Sequence, residues 1–177
     1  MATTTIIPLH ATKERTALAV LSDSADYMKN GDKTNGEEFV TGYECDPLTA
    51  AQEFAFARSQ YSVNTGRNQS ANEIVGYHLR QAFAPGETDA ATANKIGYDL
   101  AMSFTKGKFA FLVCTHVDKA HIHNHILLNA VNLDCSRKFR NFNNSAFALR
   151  KISDLLCLQN GLSVIAEPKN SRGSYSD

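Results

Sequence analysis

The stretch Thr115–Asn129, THVDKAHIHNHILLN, limits what this chain can fold into more than any other part of it. It holds four of the six histidines, His116, His121, His123 and His125, and the last three alternate with Ile122 and Asn124. The apolar run Phe109–Cys114 precedes it, and Ile126-Leu127-Leu128 follows the histidines. Two such runs, bounded by Gly107 and by Asp118-Lys119, predict the two strands of a hairpin. Side chains at i, i+2 and i+4 share one face of a strand. His121, His123 and His125 are therefore expected on one face with Leu127 and Asn129, and Ile122, Ile126 and Leu128 on the other, buried one.

The strand also limits the chemistry. Neutral imidazole is the commonest transition-metal ligand, and three ligands with an open position make a catalytic site. Residues i and i+4 on a strand lie about 13 Å apart, whereas a metal–nitrogen bond is about 2 Å. The three alternating histidines cannot all share one ion on an unbent strand. Two adjacent ones can, with the third ligand from a neighbouring strand, where His116 is well placed. Geometry leaves both His121/His123 and His123/His125 open as the pair. His10 and His78 stand outside the cluster and are read as structural.

Elsewhere the sequence alternates strands and helices. Thr3–Leu9 reads as a strand near an edge because of Pro8, and Lys13–Leu21 as one or two helical turns. Ser22–Glu38 is polar and reads as a long loop carrying Tyr27. Phe39–Cys45 is a weak strand, and Asp46-Pro47 opens a helix that stops at Gly66. Asn72–Phe83 is a strand, and Thr88 or Asp89 caps a helix closed by Gly107. After the hairpin, Asn144 or Ser145 caps a last helix with Ile152, Leu155 and Leu156 inward, and Leu162–Ile165 reads as a short final strand. One antiparallel hairpin with long helices predicts an α+β fold, a central antiparallel β-sheet packed with helices. A single domain over 1–166 is expected, with a polar tail at 167–177 leading to a further segment of a longer parent.

No apolar run is long enough to cross a membrane, the N-terminus lacks the order of a signal peptide, and the four cysteines are scattered. A cytoplasmic protein with reduced thiols is expected, without a membrane partner. Net charge is zero, but residues 1–136 carry 11 Lys/Arg against 15 Asp/Glu and residues 137–177 carry 7 against 3. Within the basic part, Arg137-Lys138-Phe139-Arg140 interleaves cations with an aromatic, a pattern suited to phosphate contact and base stacking. Arg80, Lys29 and Lys33 are candidates to join it.

The pattern H-x-D-x-x-x-x-H-x-H-x-x-x-N, formed by His116, Asp118, His123, His125 and Asn129, resembles the third motif of the MobA/VirD2-like relaxases. These are mobilisation nucleases of the HUH endonuclease superfamily, named for two histidines flanking a hydrophobic residue. Here Asn124 holds that middle place, and Ile122 holds it between His121 and His123. Further matches are Tyr27 within DYMKNGDKT and the stretch Tyr77–Glu87, YHLRQAFAPGE; Gly31 stands where relatives more often have Pro. The resemblance spans about Ile6 to Pro168. It implies an HUH relaxase-like fold and a metal-dependent nickase of single-stranded DNA at a transfer origin. With it, the spacing from His116 favours His123 and His125 as ligands and leaves His121 beside the site.

The resemblance also implies a tyrosine nucleophile, a 5′-phosphotyrosine intermediate and reversible rejoining. Of the six tyrosines, Tyr27 alone lies in a polar segment long enough to reach over the sheet, and the motif points to it as well. Asp26, Asp118, Glu73 and Glu87 are candidate bases; Asp118 could instead hold a ligand histidine's tautomer, and Asn129 could support the site. One divalent ion is expected, Mn²⁺ or Mg²⁺ first, with Zn²⁺, Ni²⁺ or Co²⁺ as alternatives. A monomer working with accessory transfer proteins is expected. The competing readings are a phosphoesterase using metal-bound water, a non-catalytic DNA-binding or metal-sensing module, and a replication initiator of the same superfamily. Initiators usually place the tyrosine after the histidine motif, whereas Tyr27 precedes it.

Overall fold

The computed structural model describes residues 2–68 and 70–165. Five strands form one sheet: β1 (Thr3–His10), β2 (Val40–Tyr43), β3 (Ile74–Ala82), β4 (Phe109–His116) and β5 (His123–Asn132). Their order is β1-β3-β5-β4-β2, and every neighbouring pair is antiparallel. The predicted hairpin, β4–β5, lies at the centre. Both of its strands are buried along nearly their whole length, which explains their continuous apolar runs. Pro8 lies on an edge strand, where its missing N–H costs nothing.

Four helices cover the sheet: α1 (Ala17–Lys29), α2 (Ala50–Thr65), α3 (Ala90–Thr105) and α4 (Ser145–Gln159). Val20, Leu21, Met28 and Phe54 from α1 and α2 pack with Leu112, Cys114 and Leu127 on one face. Leu100, Ala101 and Leu149 from α3 and α4 pack with Phe111, Val113, Ile126 and Leu128 on the other. This is the expected α+β class. At Gly76 an added Cβ would meet the Leu128 carbonyl at 3.0 Å and Leu21 at 3.2 Å, so a bare backbone there lets α1 approach the sheet.

Several elements differ from the sequence reading. The main one is α1, which runs through the segment read as loop and ends at Lys29. Ala17, Val20, Leu21, Ala25 and Met28 recur every three or four residues and are buried. Ser22, Asp23, Asp26 and Tyr27 form the opposite face, and their polarity hid the period. The Thr16 hydroxyl caps the start by accepting from the Ala19 amide at 3.2 Å. The α2 helix starts at Ala50 and not at Asp46-Pro47, because the Asp46 carboxylate accepts from the Leu48 amide at 2.8 Å and closes a turn. In α4 the buried stripe is Ser145, Leu149, Ser153 and Cys157, which leaves Leu155 56% exposed.

Residues 162–165 form no strand; the Leu162 amide instead donates to the Cys157 carbonyl at 2.8 Å and finishes α4. The polar tail at 167–177 lies outside the described residues. All four cysteines are unpaired. Among the described residues no helix is long and apolar enough to cross a membrane.

Candidate metal and tyrosine site

The site forms where the sheet's central strands meet the end of α1. Antiparallel register pairs His116 with His123, Cys114 with His125, and Arg80 with His125. Cross-strand partners share a face, so β4 supplies His116 beside the two histidines of β5. One ligand atom from each of His116, His123 and His125 can be chosen so that all lie within 4.8 Å of one another. The ring centroids are 4.3 Å apart for His116–His125, 5.0 Å for His123–His125 and 5.1 Å for His116–His123. His121 lies outside this trio, exposed, with its ring 5.3 Å from that of His123.

Each histidine of the trio is oriented by a second group. The α1 terminus leaves carbonyls without intrahelical partners, and His116 Nε2 donates to that of Met28 at 2.8 Å. His123 Nδ1 donates to the His121 carbonyl at 3.3 Å. His125 Nδ1 lies 2.7 Å from His78 Nε2. A carbonyl only accepts, so His116 keeps its lone pair at Nδ1 and His123 keeps its own at Nε2. His125 Nε2 is the only buried side-chain nitrogen or oxygen among the described residues with no hydrogen-bond partner.

The electrostatics favour neutral rings. Burial, with His116, His78, His123 and Arg80 nearby, pushes His125 down to about 2. Burial, Arg80 and His116 push His78 down to about 4. Burial also lowers His116 and His123. Three uncharged imidazoles with neighbouring ring nitrogens, one of them orphaned, fit a divalent transition-type ion. His116, His123 and His125 would hold it and leave further coordination positions open.

Tyr27 stands beside the trio. It occupies the last turn of α1, 52% exposed, with its ring 6.0 Å from His116 and 5.6 Å from His125. The Met28–His116 hydrogen bond ties this turn to β4. Lys33 lies 4.4 Å over the Tyr27 ring, and its carbonyl accepts from the Val117 amide at 2.8 Å, which fastens the loop to the end of β4. Lys29 lies 3.8 Å from Asp26 in the same turn. Arg80 is exposed on the histidine face opposite His125.

The other candidates lie elsewhere or are engaged elsewhere. Asp118 is 3.8 Å from Lys119 and makes no hydrogen bond to the trio, whose hydrogen-bond partners are Met28, His121 and His78. Asn129 shares the histidine face but accepts from the Val131 amide at 3.2 Å. Glu87 accepts from the Ala84 amide at 3.0 Å and from the Ser163 amide at 2.6 Å, in the turn after β3. Glu73 pairs with Arg58 and, at 3.3 Å, with Lys138. Arg137, Lys138 and Arg140 line a cleft of about 680 Å³ with Tyr61 and Arg67. That cleft lies beside the far end of β5, where Lys138 bridges Val131, roughly 20 Å along the strand from His125 at about 3.3 Å per residue.

One residue read as structural belongs to the site. His78 sits on β3, where an isolated histidine among apolar neighbours gives no signal of its own. Only the strand order, with β3 beside β5, shows that it meets His125.

The central antiparallel sheet thus carries three imidazoles at one end, met there by a tyrosine in the last turn of a helix. The family model for the nuclease domain of MobA/VirD2-like relaxases matches residues 27–162, and the chain belongs to that family. Protein rlx of Staphylococcus aureus is 34% identical over 127 residues, covering 72% of this chain and 37% of that protein. The group II intron-interrupted relaxase LtrB of Lactococcus lactis subsp. cremoris is 26% identical over 189 residues, covering 88% of this chain and 34% of that protein. The chain thus spans about a third of the length of these curated relatives.

Solved structures share the fold. A chain from a structure described as the molecular basis of vancomycin resistance transfer in Staphylococcus aureus has a TM-score of 0.61 at 13% identity, covering 96% of this chain and all (100%) of that one. The conjugative relaxase TrwC, solved with oriT DNA, has a TM-score of 0.52 at 13% identity, covering 94% of this chain and 72% of that one.

Proposed function

We propose that this chain is the nicking domain of a relaxase, which cuts and rejoins one strand of DNA at the transfer origin of a mobile element. The observation that carries the reading is the Tyr27 ring within 6.0 Å of two of three mutually adjacent histidines, one of which has an orphaned nitrogen. Membership of the relaxase family supports it.

In this reading Tyr27 is the nucleophile. Its oxygen forms a bond to phosphorus, the bond from phosphorus to the 3′ oxygen breaks, and that oxygen leaves as a 3′-hydroxyl once protonated. The tyrosine proton passes to solvent or to a nearby base. The phosphodiester becomes a 5′-phosphotyrosine with its bond energy conserved, so the 3′-hydroxyl can reverse the step. When bound, a divalent ion would supply positive charge to the non-bridging oxygens of the scissile phosphate. Mn²⁺ or Mg²⁺ is the preferred ion; Zn²⁺, Ni²⁺ and Co²⁺ also suit imidazole ligands.

Three cations surround this point. Lys33 covers the Tyr27 ring, where it steadies the hydroxyl and meets incoming phosphate. Arg80 flanks His125 and suits the adjacent phosphate, and Lys29 adds charge at the helix end. Arg137, Lys138 and Arg140 form a separate contact zone for a longer strand. Melted origin DNA is the substrate in this reading, and accessory transfer proteins are the expected partners.

The test is cleavage of a labelled single strand carrying the element's transfer origin. Cleavage with Mn²⁺ or Mg²⁺, and none with EDTA, is expected. Equal cleavage in EDTA would remove the metal from the account, and binding without cleavage under any of the five ions would favour a non-catalytic DNA-binding module.

A further inference from the structure

We propose that His78 is a positioning residue for the metal site: it accepts the Nδ1 proton of His125 and so keeps the His125 Nε2 lone pair available to an ion. The proposal rests on the reading of His116, His123 and His125 as ligands. Two of these have tautomers fixed by carbonyls, those of Met28 and His121. His125 differs, because its partner at 2.7 Å is another imidazole, which can either accept or donate.

The choice between the two tautomers follows from His125 Nε2. It is buried and has no partner. A proton there would be a buried donor without an acceptor, which is unfavourable. A lone pair there joins those of His116 and His123. The Nδ1 atom then carries the proton, and His78 Nε2 is its acceptor, with the His78 proton on Nδ1. The position of His78 comes from the sheet: it pairs with Leu127, two residues past the Arg80–His125 pair, and so shares the histidine face and reaches His125 diagonally. Its ring lies 4.9 Å from that of His125, and it is not one of the three residues whose ligand atoms can all be brought within 4.8 Å of one another.

A partner that orients a ligand histidine typically changes metal affinity 10–100-fold when removed. His78→Leu keeps the bulk and removes the acceptor. His78→Gln places an amide oxygen near the lost Nε2. Titration calorimetry with Co²⁺ or Mn²⁺ is expected to show binding about 10–100-fold weaker in His78→Leu and restored to within about threefold of wild type in His78→Gln. Imidazole ¹⁵N shifts of the metal-free wild type are expected to show His125 protonated at Nδ1, a readout that needs no variant to fold.

Unchanged affinity in His78→Leu overturns the proposal, as does equal weakening in both variants or a wild-type His125 protonated at Nε2. If wild type nicks DNA and binds the ion while His78→Leu binds it equally well, only this inference falls. If wild type binds no divalent ion, the metal reading falls and this inference with it.

Discussion

At the scale of residues, the site is a set of neutral bases held away from water. An unfolded histidine takes up a proton near pH 6.5, whereas His78 and His125 in the fold stay neutral down to about 4 and about 2. Below the unfolded value the unfolded chain binds more protons than the folded one, so stability falls as pH falls. The contribution is full above about pH 7 and is lost from about 6.5 downward. With EDTA present, urea midpoints measured from pH 7.5 to 5 are expected to fall, by on the order of 1–3 kcal/mol in stability. A flat profile would mean that the rings are more solvated than their burial indicates. The sequence pattern of His116, His123 and His125 made the trio legible through spacing and resemblance. His78 was not legible, because it lies 47 residues before His125 and only strand pairing brings the two together.

Elements carry the precision that these residues need. Asn124 points away from the histidines, is fully buried, and holds the strands together from the opposite face. Its amide nitrogen donates to Gln81 at 3.0 Å and to the Ala93 carbonyl at 2.7 Å, and its oxygen accepts from Thr115 at 2.7 Å. Gln81 goes on to donate to Ser153 at 2.8 Å. This network links β3, β4, β5, α3 and α4 directly behind the three histidines, which accounts for a polar residue at a place the superfamily usually gives to an apolar one. Gly97 on α3 makes room for it: an added Cβ would lie 2.5 Å from the Asn124 amide nitrogen. Gly97→Ala is expected to destabilise by about 1–3 kcal/mol, and Asn124→Leu by at least as much through the partners left unpaired. Chemical denaturation checks both, and losses below about half a kcal/mol would mean that the network relaxes freely.

The same scale shows where sequence reading stops. The hairpin was legible because both strands are buried on both faces and their apolar runs have no helical period. The α1 helix was legible only in its first half. Its second half keeps the apolar stripe through Ala25 and Met28, but Ser22, Asp23, Ser24 and Asp26 beside them mimic a loop. That miss has a chemical consequence. Tyr27 is a fixed side chain in a helical turn locked to His116 through Met28, in place of a residue on a long loop.

At the scale of the molecule, two helix pairs on opposite faces make a rigid frame that leaves one end of the central strands open. His116, His123, His125, Tyr27, Lys33 and Arg80 collect at that end. The basic segment Arg137–Arg140 runs beside the other end of β5, with Lys138 bridged to Val131. A chain of zero net charge thus gathers cations locally and has none of the overall attraction expected of a strongly basic protein.

The central claim is that Tyr27 becomes covalently joined to DNA. The direct measurement is to incubate the protein with an origin oligonucleotide labelled 3′ of the nick and Mn²⁺, resolve it on a denaturing gel, and identify the modified peptide by mass spectrometry. The account predicts a labelled adduct on Tyr27, absent from Tyr27→Phe, while Co²⁺ binding by that variant is unchanged. Normal cutting by Tyr27→Phe, or an adduct on another tyrosine, would contradict it.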